Sequence, residues 1–233
     1  MMELTLKGDV VDNDMAWLYD WLGMDCVSPK AVADGLKAAN GDPLTITLSS
    51  YGGDVFAGSE IYTALRDYQG DVTVNITGIA ASAASVIAMG GDTVRISPTA
   101  QFMIHNASGA ASGNNRDMAK MADILTRTNQ SIANAYMEKT GMTQEKLLGL
   151  MDQETWLIAE EAVKYGFADE IMFVDQIDDL QVVNSARSLP SKSAVKHLHQ
   201  LISAVDQPQP KVEQTDTVLQ EKLKILRGEQ DVY

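Results

Sequence analysis

Residues 72–89 read VTVNITGIAASAASVIAM and place a strand pattern directly before a helix pattern. The first part, Val72–Ile76, alternates β-branched and polar side chains, which is typical of a strand with one buried face. The last part, Val86–Met89, is an apolar run after several alanines and favours a helix. A strand that passes into a helix within so few residues is typical of α/β domains.

The same alternation of strand and helix patterns continues on both sides of this segment. Short apolar or β-branched runs predict further strands at Leu4–Leu6, Leu44–Leu48, Val94–Ile96 and Phe102–Ile104. Capping signals or helical periodicity predict helices from Ser28-Pro29 to about Ala39, over Phe56–Tyr68 and over Arg116–Thr140. Strands that alternate with helices predict an α/β fold with crossover connections and mostly parallel strand pairs.

The composition changes in the last quarter of the chain. Residues 184–193 are rich in serine and proline, and Gln207–Pro210 is typical of an extended linker. We therefore predict one folded domain over residues 1–173 and a largely flexible C-terminal extension over residues 174–233. Within this extension, a short amphipathic helix is expected near residues 214–227.

The composition excludes several classes of protein. Of 233 residues, 45% are hydrophobic, which is the proportion of a globular chain. The single cysteine, Cys26, cannot form an internal disulfide and belongs to no zinc-binding pattern. No apolar run reaches the length of about 18 residues that a membrane span needs. The first residues lack a signal-peptide pattern, so we expect a cytoplasmic protein.

The charge of the chain points away from nucleic acids. With 18 Lys and Arg against 32 Asp and Glu, the formal net charge is −14, and the basic residues form no cluster. Nucleic-acid binding requires clustered cations, so we expect no nucleic-acid partner. We likewise expect no membrane association, no cofactor and no metal. The chain has only three histidines, and only one of them, His105, lies within the predicted domain.

Three short segments carry groups suited to nucleophilic catalysis. Ser82 follows a predicted strand and precedes a predicted helix, where backbone N–H groups can stabilise an oxyanion. His105 follows the strand Phe102–Ile104, and Gly52-Gly53 follows an earlier strand. Each feature alone also has a structural explanation, namely a helix-capping serine, a structural histidine and a turn that requires glycine for steric reasons.

Together, the serine and the histidine suggest a nucleophile and its base. A serine hydroxyl is a poor nucleophile until a neighbouring base accepts its proton. Ser82 and His105 are 23 residues apart, and a parallel return of the chain over that distance can bring them together. An acidic side chain would then hold the imidazole in the required tautomer.

Four motifs, in this order along the chain, resemble those of the Clp protease proteolytic subunit, ClpP. SYGGDVFAG at residues 50–58 resembles its Ser-Pro-Gly-Gly segment, and GIAAS at residues 78–82 resembles its Gly-x-Ala-Ala-Ser nucleophile motif. MIH at residues 103–105 resembles its Met-Ile-His, and AEEAVKYGFAD at residues 159–169 resembles the segment that closes the family's domain. The resemblance covers about residues 4–173 and implies a ClpP/crotonase-type fold with repeated β-β-α units.

The resemblance also implies a serine endopeptidase with a Ser-His-acid triad, which cleaves peptides or proteins. Ser82 would be the nucleophile and His105 the general base. The backbone N–H groups of Gly53 and Ala83 would form the oxyanion hole. Ala83 is the residue directly after the nucleophile.

For the acid of the triad, the resemblance leaves two candidates. The family has an aspartate shortly before the closing motif, and counting back from Ala162 without gaps places Glu154 there. The glutamate side chain is one methylene longer but can still orient an imidazole. Asp152 is the alternative if the backbone is shifted by two residues.

Where the chain departs from ClpP, several of its features resemble those of the ClpP-related head maturation (prohead) proteases of tailed bacteriophages. Tyr51 replaces the proline of the Gly-Gly turn, the chain begins almost directly at its first strand, and about 60 residues follow the domain. MDQETWL at residues 151–157 also resembles that subgroup. The similarity implies cleavage of capsid or scaffold proteins, in the prohead or the bacterial cytoplasm. The alternative is a housekeeping subunit of an ATP-dependent Clp protease. These two interpretations differ in whether the protein needs an ATPase unfoldase as a partner.

The resemblance further implies a homo-oligomeric ring, a heptamer or a double ring, that encloses the sites. Residues 106–115 and the helix after them correspond to the family's handle. The small polar side chains of residues 106–115 suit either a loop that accepts an extended peptide by strand addition or a flexible loop in solvent. Along the helix, the apolar residues Met118, Met121, Leu125 and Ile132 fit an oligomer interface or the core equally well.

Two functions of another class remain as alternatives. A crotonase-type acyl-CoA enzyme would use a similar oxyanion hole but would not need Ser82 and His105, and the sequence has no basic cluster for the phosphates of CoA. A catalytically silent capsid-assembly protein would keep the fold without the chemistry. A Ser-Lys mechanism is disfavoured because His105 stands where the motif expects it.

Overall fold

The computed structural model of the protein describes residues 2–174, so the predictions for the C-terminal extension lie outside the described residues. The strands in this part of the chain are β1 (Met2–Lys7), β2 (Asp9–Val10), β3 (Cys26–Val27), β4 (Leu44–Ser50), β5 (Val72–Ala81), β6 (Thr93–Ile96), β7 (Gln101–Ile104), β8 (Thr155–Ile158) and β9 (Glu170–Ile171). Its helices are α1 (Asn13–Leu22), α2 (Pro29–Ala39), α3 (Val55–Asp67), α4 (Ala83–Ala88), α5 (Asn115–Thr140), α6 (Gln144–Asp152) and α7 (Ala159–Lys164).

Parallel strands in the order β1-β4-β5-β6-β9 form the centre of the main sheet. Their register pairs Leu4 with Ile46, Ile46 with Val74 and Val74 with Val94, so a row of apolar side chains crosses the sheet. Buried and partly exposed residues alternate along β4, as expected for a strand with one fully buried face. The predicted fold class, an α/β fold with mostly parallel pairing, is confirmed.

The long strand β5 changes its partners along its length. Residues 72–76 and Ala80 pair with β4 along one edge, while along the other edge residues 73–76 pair with β6 and Ile79–Ala81 pair with β7. The pairing of β4 with β5 shifts register between Leu48 and Ser50, near this change of partner. Strand β8 then pairs antiparallel with β7. As a result, the carboxyl ends of β4, β5 and β7 lie beside one another.

Helix boundaries follow the capping signals of the sequence. Ser28 caps α2 by accepting a hydrogen bond from the Ala31 N–H at 3.4 Å, and Pro29 is the first helical residue. Asn114 begins α5 with a capping box that includes Asp117. The strands and helices predicted within residues 2–174 are all present, and β1 and β5 are both about twice as long as predicted.

Several shorter elements were not predicted, namely α1, α6, α7, β2, β3, β8 and β9. Helix α1 carries apolar residues at helical spacing, such as Met15, Leu18 and Leu22, yet none of its side chains is buried and both Trp17 and Trp21 are exposed. It begins at a local signal, since Asp12 accepts a hydrogen bond from the Met15 N–H at 2.7 Å. The other missed elements are too short for a periodic pattern to emerge.

The apolar stripe of α5 lies in two different environments. Ile132 and Tyr136 are buried in the core, whereas Met118 and Ile124 are 40% and 44% exposed. No side chain in residues 115–131 is buried in the described chain. Helix α5 is about 39 Å long at 1.5 Å per residue. Only its C-terminal part belongs to the core of the domain.

Candidate active site

Ser82 occupies the tight turn between β5 and α4 in an unusual backbone conformation. Its φ of 56° and ψ of −127° lie in a region that non-glycine residues rarely adopt. The Ser82 N–H donates to the Met103 carbonyl at 3.1 Å, which ties the turn to β7. Although the serine precedes the first helical residue, its side chain makes no capping hydrogen bond. Its hydroxyl is therefore available for another partner.

That partner is His105, which directly follows β7. Its Nε2 lies 2.8 Å from Ser82 Oγ, and the residue is partly buried. At this distance a neutral imidazole with its proton on Nδ1 can accept the serine proton. The structure thus brings the predicted nucleophile and the predicted base into the contact that activation of a serine requires.

The glycine turn after β4 presents a free backbone donor. Gly52 and Gly53 have φ angles of 93° and 146°, which favour glycine. The Val10 N–H donates to the Gly52 carbonyl at 2.9 Å, and the Asp54 N–H donates to the Val10 carbonyl at 2.8 Å. Among residues 2–174, no acceptor pairs with the Gly53 N–H, which lies between these two hydrogen bonds.

A second free donor comes from the start of α4. Ala83 is its first residue, and the first N–H groups of a helix have no acceptor within the helix. Gly53 and Ala83 line the same cavity as Ser82 and His105. Two N–H donors beside a nucleophile can stabilise the charge of a tetrahedral intermediate. The structure brings both predicted oxyanion-hole residues to this cavity, and their catalytic role stays a prediction.

Gly52 lies against the serine turn, and we expect Gly52→Ala to damage both stability and activity. An added Cβ would lie 2.6 Å from the Ala81 carbonyl oxygen, 2.7 Å from Ser82 Cβ and 2.8 Å from Ala83 N. This clash, together with the positive φ, should lower the free energy of unfolding by about 2–4 kcal/mol.

Gly41→Ala is the matched control, because Gly41 also has a positive φ, of 86°, but no atom within 4 Å of an added Cβ. Urea unfolding and peptide cleavage should be measured on both variants. The control should lose only the part of the stability that comes from backbone strain, and it should keep its activity. Equal losses in the two variants would contradict the importance of the contact with the serine turn.

A cavity of about 290 Å³ opens beside the serine and the histidine. Its apolar walls include Phe56, Val86, Ile132 and Tyr136. The sequence had placed none of these side chains at the site, although Ile132 and Tyr136 belong to the apolar stripe of α5. A cavity with apolar walls beside a polar reactive group can accept an apolar side chain of a bound peptide.

Neither candidate acid contacts the imidazole. The Glu154 carboxylate accepts a hydrogen bond from the Trp156 indole N–H at 3.3 Å, and the Asp152 carboxylate accepts one from the Asn106 amide at 2.7 Å. Within residues 2–174, the only hydrogen-bond partner of the His105 side chain is the serine hydroxyl. The expected hydrogen bond from His105 to an acid is not formed in this conformation, and the third member of the triad stays a prediction.

Strand register nevertheless indicates which acid lies opposite the histidine. In the antiparallel pair of β7 and β8, Ile104 faces Thr155, so one further step of the ladder would place His105 opposite Glu154. Directly opposed residues have Cβ atoms about 4.5–5.5 Å apart. The ladder stops before this pair because Glu154 has a φ of 49°, which is not an extended conformation. Its carboxylate instead meets Trp156.

Other reactive features are sparse in the described part of the chain. No group of three or more His, Cys, Asp and Glu side chains in residues 2–174 is placed to hold a metal ion. Over the same residues, no helix combines the length and the apolar character needed to cross a membrane. Burial and nearby carboxylates raise the pKa of the Cys26 thiol, which makes it a weak nucleophile.

Related proteins can be recognised from the sequence. A family model described as Clp protease matches residues 35–175. The ATP-dependent Clp protease proteolytic subunit 1 of Chlamydia caviae is 30% identical over 189 residues, which cover 76% of this chain and 98% of the relative. The ATP-dependent Clp protease proteolytic subunit of Deinococcus radiodurans is 33% identical over 123 residues, which cover 52% of this chain and 60% of the relative.

A solved structure shares the fold. A ClpP1 mutant from Listeria monocytogenes matches with a TM-score of 0.61 at 24% identity, over 73% of this chain and 90% of the other. The residues matched by the family model include the serine, the histidine, the glycine turn and both candidate acids. Sequence similarity therefore extends over the whole region that builds the cavity.

Proposed function

This chain belongs to the Clp protease family and is a serine peptidase, and on that premise we propose that it is an endopeptidase with Ser82, His105 and Glu154 as its triad. The N–H groups of Gly53 and Ala83 form its oxyanion hole. One observation carries the proposal: Ser82 Oγ and His105 Nε2 are 2.8 Å apart in a cavity that both N–H donors line.

The proposed mechanism follows from this geometry. His105 Nε2 accepts the proton of Ser82 Oγ while that oxygen attacks the carbonyl carbon of the scissile peptide bond. The carbonyl oxygen becomes an oxyanion that accepts hydrogen bonds from the Gly53 and Ala83 N–H groups. The imidazolium then protonates the leaving amine, which departs and leaves an acyl-enzyme. Water, deprotonated by the same imidazole, hydrolyses the ester and restores the serine hydroxyl.

We expect Glu154→Gln to lower kcat by about 10²–10⁴-fold, because an amide does not hold the imidazole in the required tautomer. In this role the Glu154 carboxylate exchanges its 3.3 Å contact with Trp156 for His105 Nδ1. Contacts longer than about 3.2 Å are weak, so this exchange costs little. Steady-state cleavage of a peptide measures the effect.

Asp152→Asn is the matched control for the triad acid. The Asp152 carboxylate is already held by Asn106 at 2.7 Å and lies two residues from the position opposite the histidine. We therefore expect a much smaller loss of kcat than for Glu154→Gln. The reverse ranking of the two variants would assign the orienting acid to Asp152 instead.

The substrate is proposed to bind as an extended strand beside residues 105–114. These residues form no regular secondary structure, and those from Ser108 onward are exposed. Their backbone groups can pair with a peptide by strand addition while one apolar side chain of the peptide enters the cavity. Phe56 is exposed and lines the cavity, where it can contact that side chain.

We also propose that the subunits form a ring. The part of α5 that the core does not cover leaves the apolar side chains Met118 and Ile124 exposed, and a neighbouring subunit could bury them. Sedimentation of the purified chain should give a heptamer or two stacked heptamers. A monomer that cleaves peptides at full rate would contradict the ring.

For the natural substrate we propose capsid or scaffold proteins of a bacteriophage. The departures from ClpP support this choice, namely Tyr51 in the glycine turn, Glu154 in place of aspartate and the residues that follow the domain. The purified protein should be incubated with candidate capsid and scaffold proteins, and the cleavage sites mapped by mass spectrometry. Specific cleavage without an added ATPase is the expected result.

A second candidate is supported by the names of the relatives. Both are described as proteolytic subunits of an ATP-dependent Clp protease. If folded protein substrates are cleaved only when a Clp ATPase is added, the housekeeping function replaces the head-maturation function. Cleavage of short peptides alone does not discriminate the two, so folded substrates are essential to the comparison.

A further inference from the structure

Behind the candidate nucleophile, two buried hydroxyl groups form a chain of hydrogen bonds that ends on its backbone. Ser85 Oγ donates to the Ser82 carbonyl oxygen at 2.6 Å, and the Tyr136 hydroxyl lies 2.8 Å from Ser85 Oγ. Ser85 is 0% exposed and Tyr136 is 1% exposed. These two hydroxyls, called the hydroxyl pair below, belong neither to the triad nor to the oxyanion hole.

The direction of both hydrogen bonds follows from the number of protons available. A serine hydroxyl has one proton, and the Ser82 carbonyl can only accept, so the Ser85 proton lies in that hydrogen bond. The Tyr136 hydroxyl must therefore donate to Ser85 Oγ. Burial raises the pKa of Tyr136 above its usual range, so the donated proton is retained. In such a chain each hydrogen bond polarises the next and strengthens it.

The Ser82 carbonyl is linked rigidly to the oxyanion hole. It belongs to the same trans peptide group as the Ala83 N–H. Because a peptide group is planar, the direction of the carbonyl determines the direction of the N–H. A donor stabilises an oxyanion effectively only if it points at the place where the charge develops.

The backbone of Ser82 also needs support at this point. A non-glycine residue with its φ and ψ is strained and persists only where the surroundings hold it. The N–H groups of Ser85 and Val86 donate to the Ser82 carbonyl at 3.0 and 3.4 Å. The hydrogen bond from Ser85 Oγ, at 2.6 Å, is the shortest of the three.

We propose that Ser85 and Tyr136 are positioning residues, whose hydroxyl pair orients the peptide group between Ser82 and Ala83 so that the Ala83 N–H points into the oxyanion hole. This inference rests on the proposed function of Ser82 as the nucleophile. Tyr136 also lines the cavity, but its hydroxyl is engaged by Ser85 and acts through the serine turn.

The test compares Ser85→Ala, Tyr136→Phe and the double variant with the wild-type protein. Three quantities are measured: Tm, kcat and KM for a peptide, and the rate of labelling by a small fluorophosphonate that needs no peptide contacts. Ser85→Ala should lower kcat and the labelling rate by about 10- to 100-fold, the cost of a displaced catalytic donor. KM should change little. Tyr136→Phe should have a smaller effect, because it leaves the hydrogen bond from Ser85 in place.

The double variant separates positioning from stability. Ser85→Ala leaves the buried Tyr136 hydroxyl without an acceptor and should lower Tm by about 5 °C. Removing both hydroxyls leaves no unpaired group, so Tm should return toward the wild-type value. A positioning role keeps kcat of the double variant as low as that of Ser85→Ala. Recovery of kcat together with Tm would overturn the proposal and show a structural role only.

Wild-type protein and Ser82→Ala in the same assay keep this inference apart from the proposed function. If the wild-type protein is not labelled at Ser82, the proposed function fails. If it is labelled there and Ser85→Ala is labelled at the same rate, only the positioning role fails. Should Ser85→Ala not fold, the double variant decides, because it carries the same catalytic defect without the unpaired tyrosine hydroxyl.

Discussion

Ser82→Ala should abolish peptide cleavage, with kcat lowered by at least about 10⁴-fold, and should remove labelling by fluorophosphonates. Among residues 2–174, the Ser82 hydroxyl is the only side-chain group hydrogen-bonded to His105, so the imidazole has no other nucleophile to activate. The substitution removes one oxygen and keeps the backbone contacts of the turn. Tm should therefore stay close to the wild-type value. Peptide hydrolysis, the mass of the labelled protein and thermal unfolding measure these effects.

Ser97→Ala is the control for the loss of a serine hydroxyl. Ser97 follows β6, its hydroxyl lies 3.3 Å from Thr99 Oγ1, and it does not line the cavity. This variant should be labelled and should cleave peptides like the wild-type protein. Unchanged cleavage by Ser82→Ala would refute the proposed nucleophile. The two alternative functions, a crotonase-type acyl-CoA enzyme and a catalytically silent capsid-assembly protein, would then have to be considered again.

His105→Ala should lower kcat by about 10⁴-fold while leaving the nucleophile in place. The described part of the chain contains no second histidine, so no neighbouring imidazole can take over proton transfer. Gly53 and Ala83 still offer their N–H groups, and some catalysis above the uncatalysed rate should remain. Slow labelling at Ser82, followed by mass spectrometry, would detect this residual reactivity.

His197→Ala provides the matched loss of an imidazole outside the predicted domain. It should leave both kcat and the labelling rate unchanged. Full activity of His105→Ala would contradict the proposed base and reopen a Ser-Lys mechanism. If His105→Ala loses activity because it unfolds, its Tm will fall. Labelling by a fluorophosphonate at high concentration would then report whether Ser82 is still reactive.

Much of the fold could be predicted because its signals are local. The β-branched runs of β4 and β5 and the Ser28-Pro29 cap of α2 act within a few residues, and the structure contains each of them. Helix α1 was missed although its signals are local too, namely the Asp12 cap and apolar residues at Met15, Leu18 and Leu22. Unlike α2, it has no buried side chain.

The stripe of α5 shows where local signals end. A helical period identifies an apolar face but does not say what covers it. In the structure Tyr136 packs against Phe167, with ring centroids 5.7 Å apart, while Met118 remains exposed on the same helix. That division depends on residues distant in the sequence, which a period of 3.6 residues does not contain.

By itself, the sequence determined the chemistry available to this protein. One histidine in the predicted domain, one serine in a strand-to-helix turn and a pair of glycines predict a hydroxyl nucleophile, its base and a site for an oxyanion. These assignments follow from side-chain type and from short motifs. They need no knowledge of distance.

Only the tertiary structure decided how these groups are arranged. Strand pairing between β5 and β7 brings Ser82 Oγ to 2.8 Å from His105 Nε2. The ladder between β7 and β8 ends at the pair of Ile104 and Thr155, one step before His105 and Glu154. The hydroxyl pair depends on residues that are 51 positions apart in the chain. Such distances are set by strand register and by the packing of one element on another. Both arise from contacts between segments that are remote in sequence, so short motifs do not contain them.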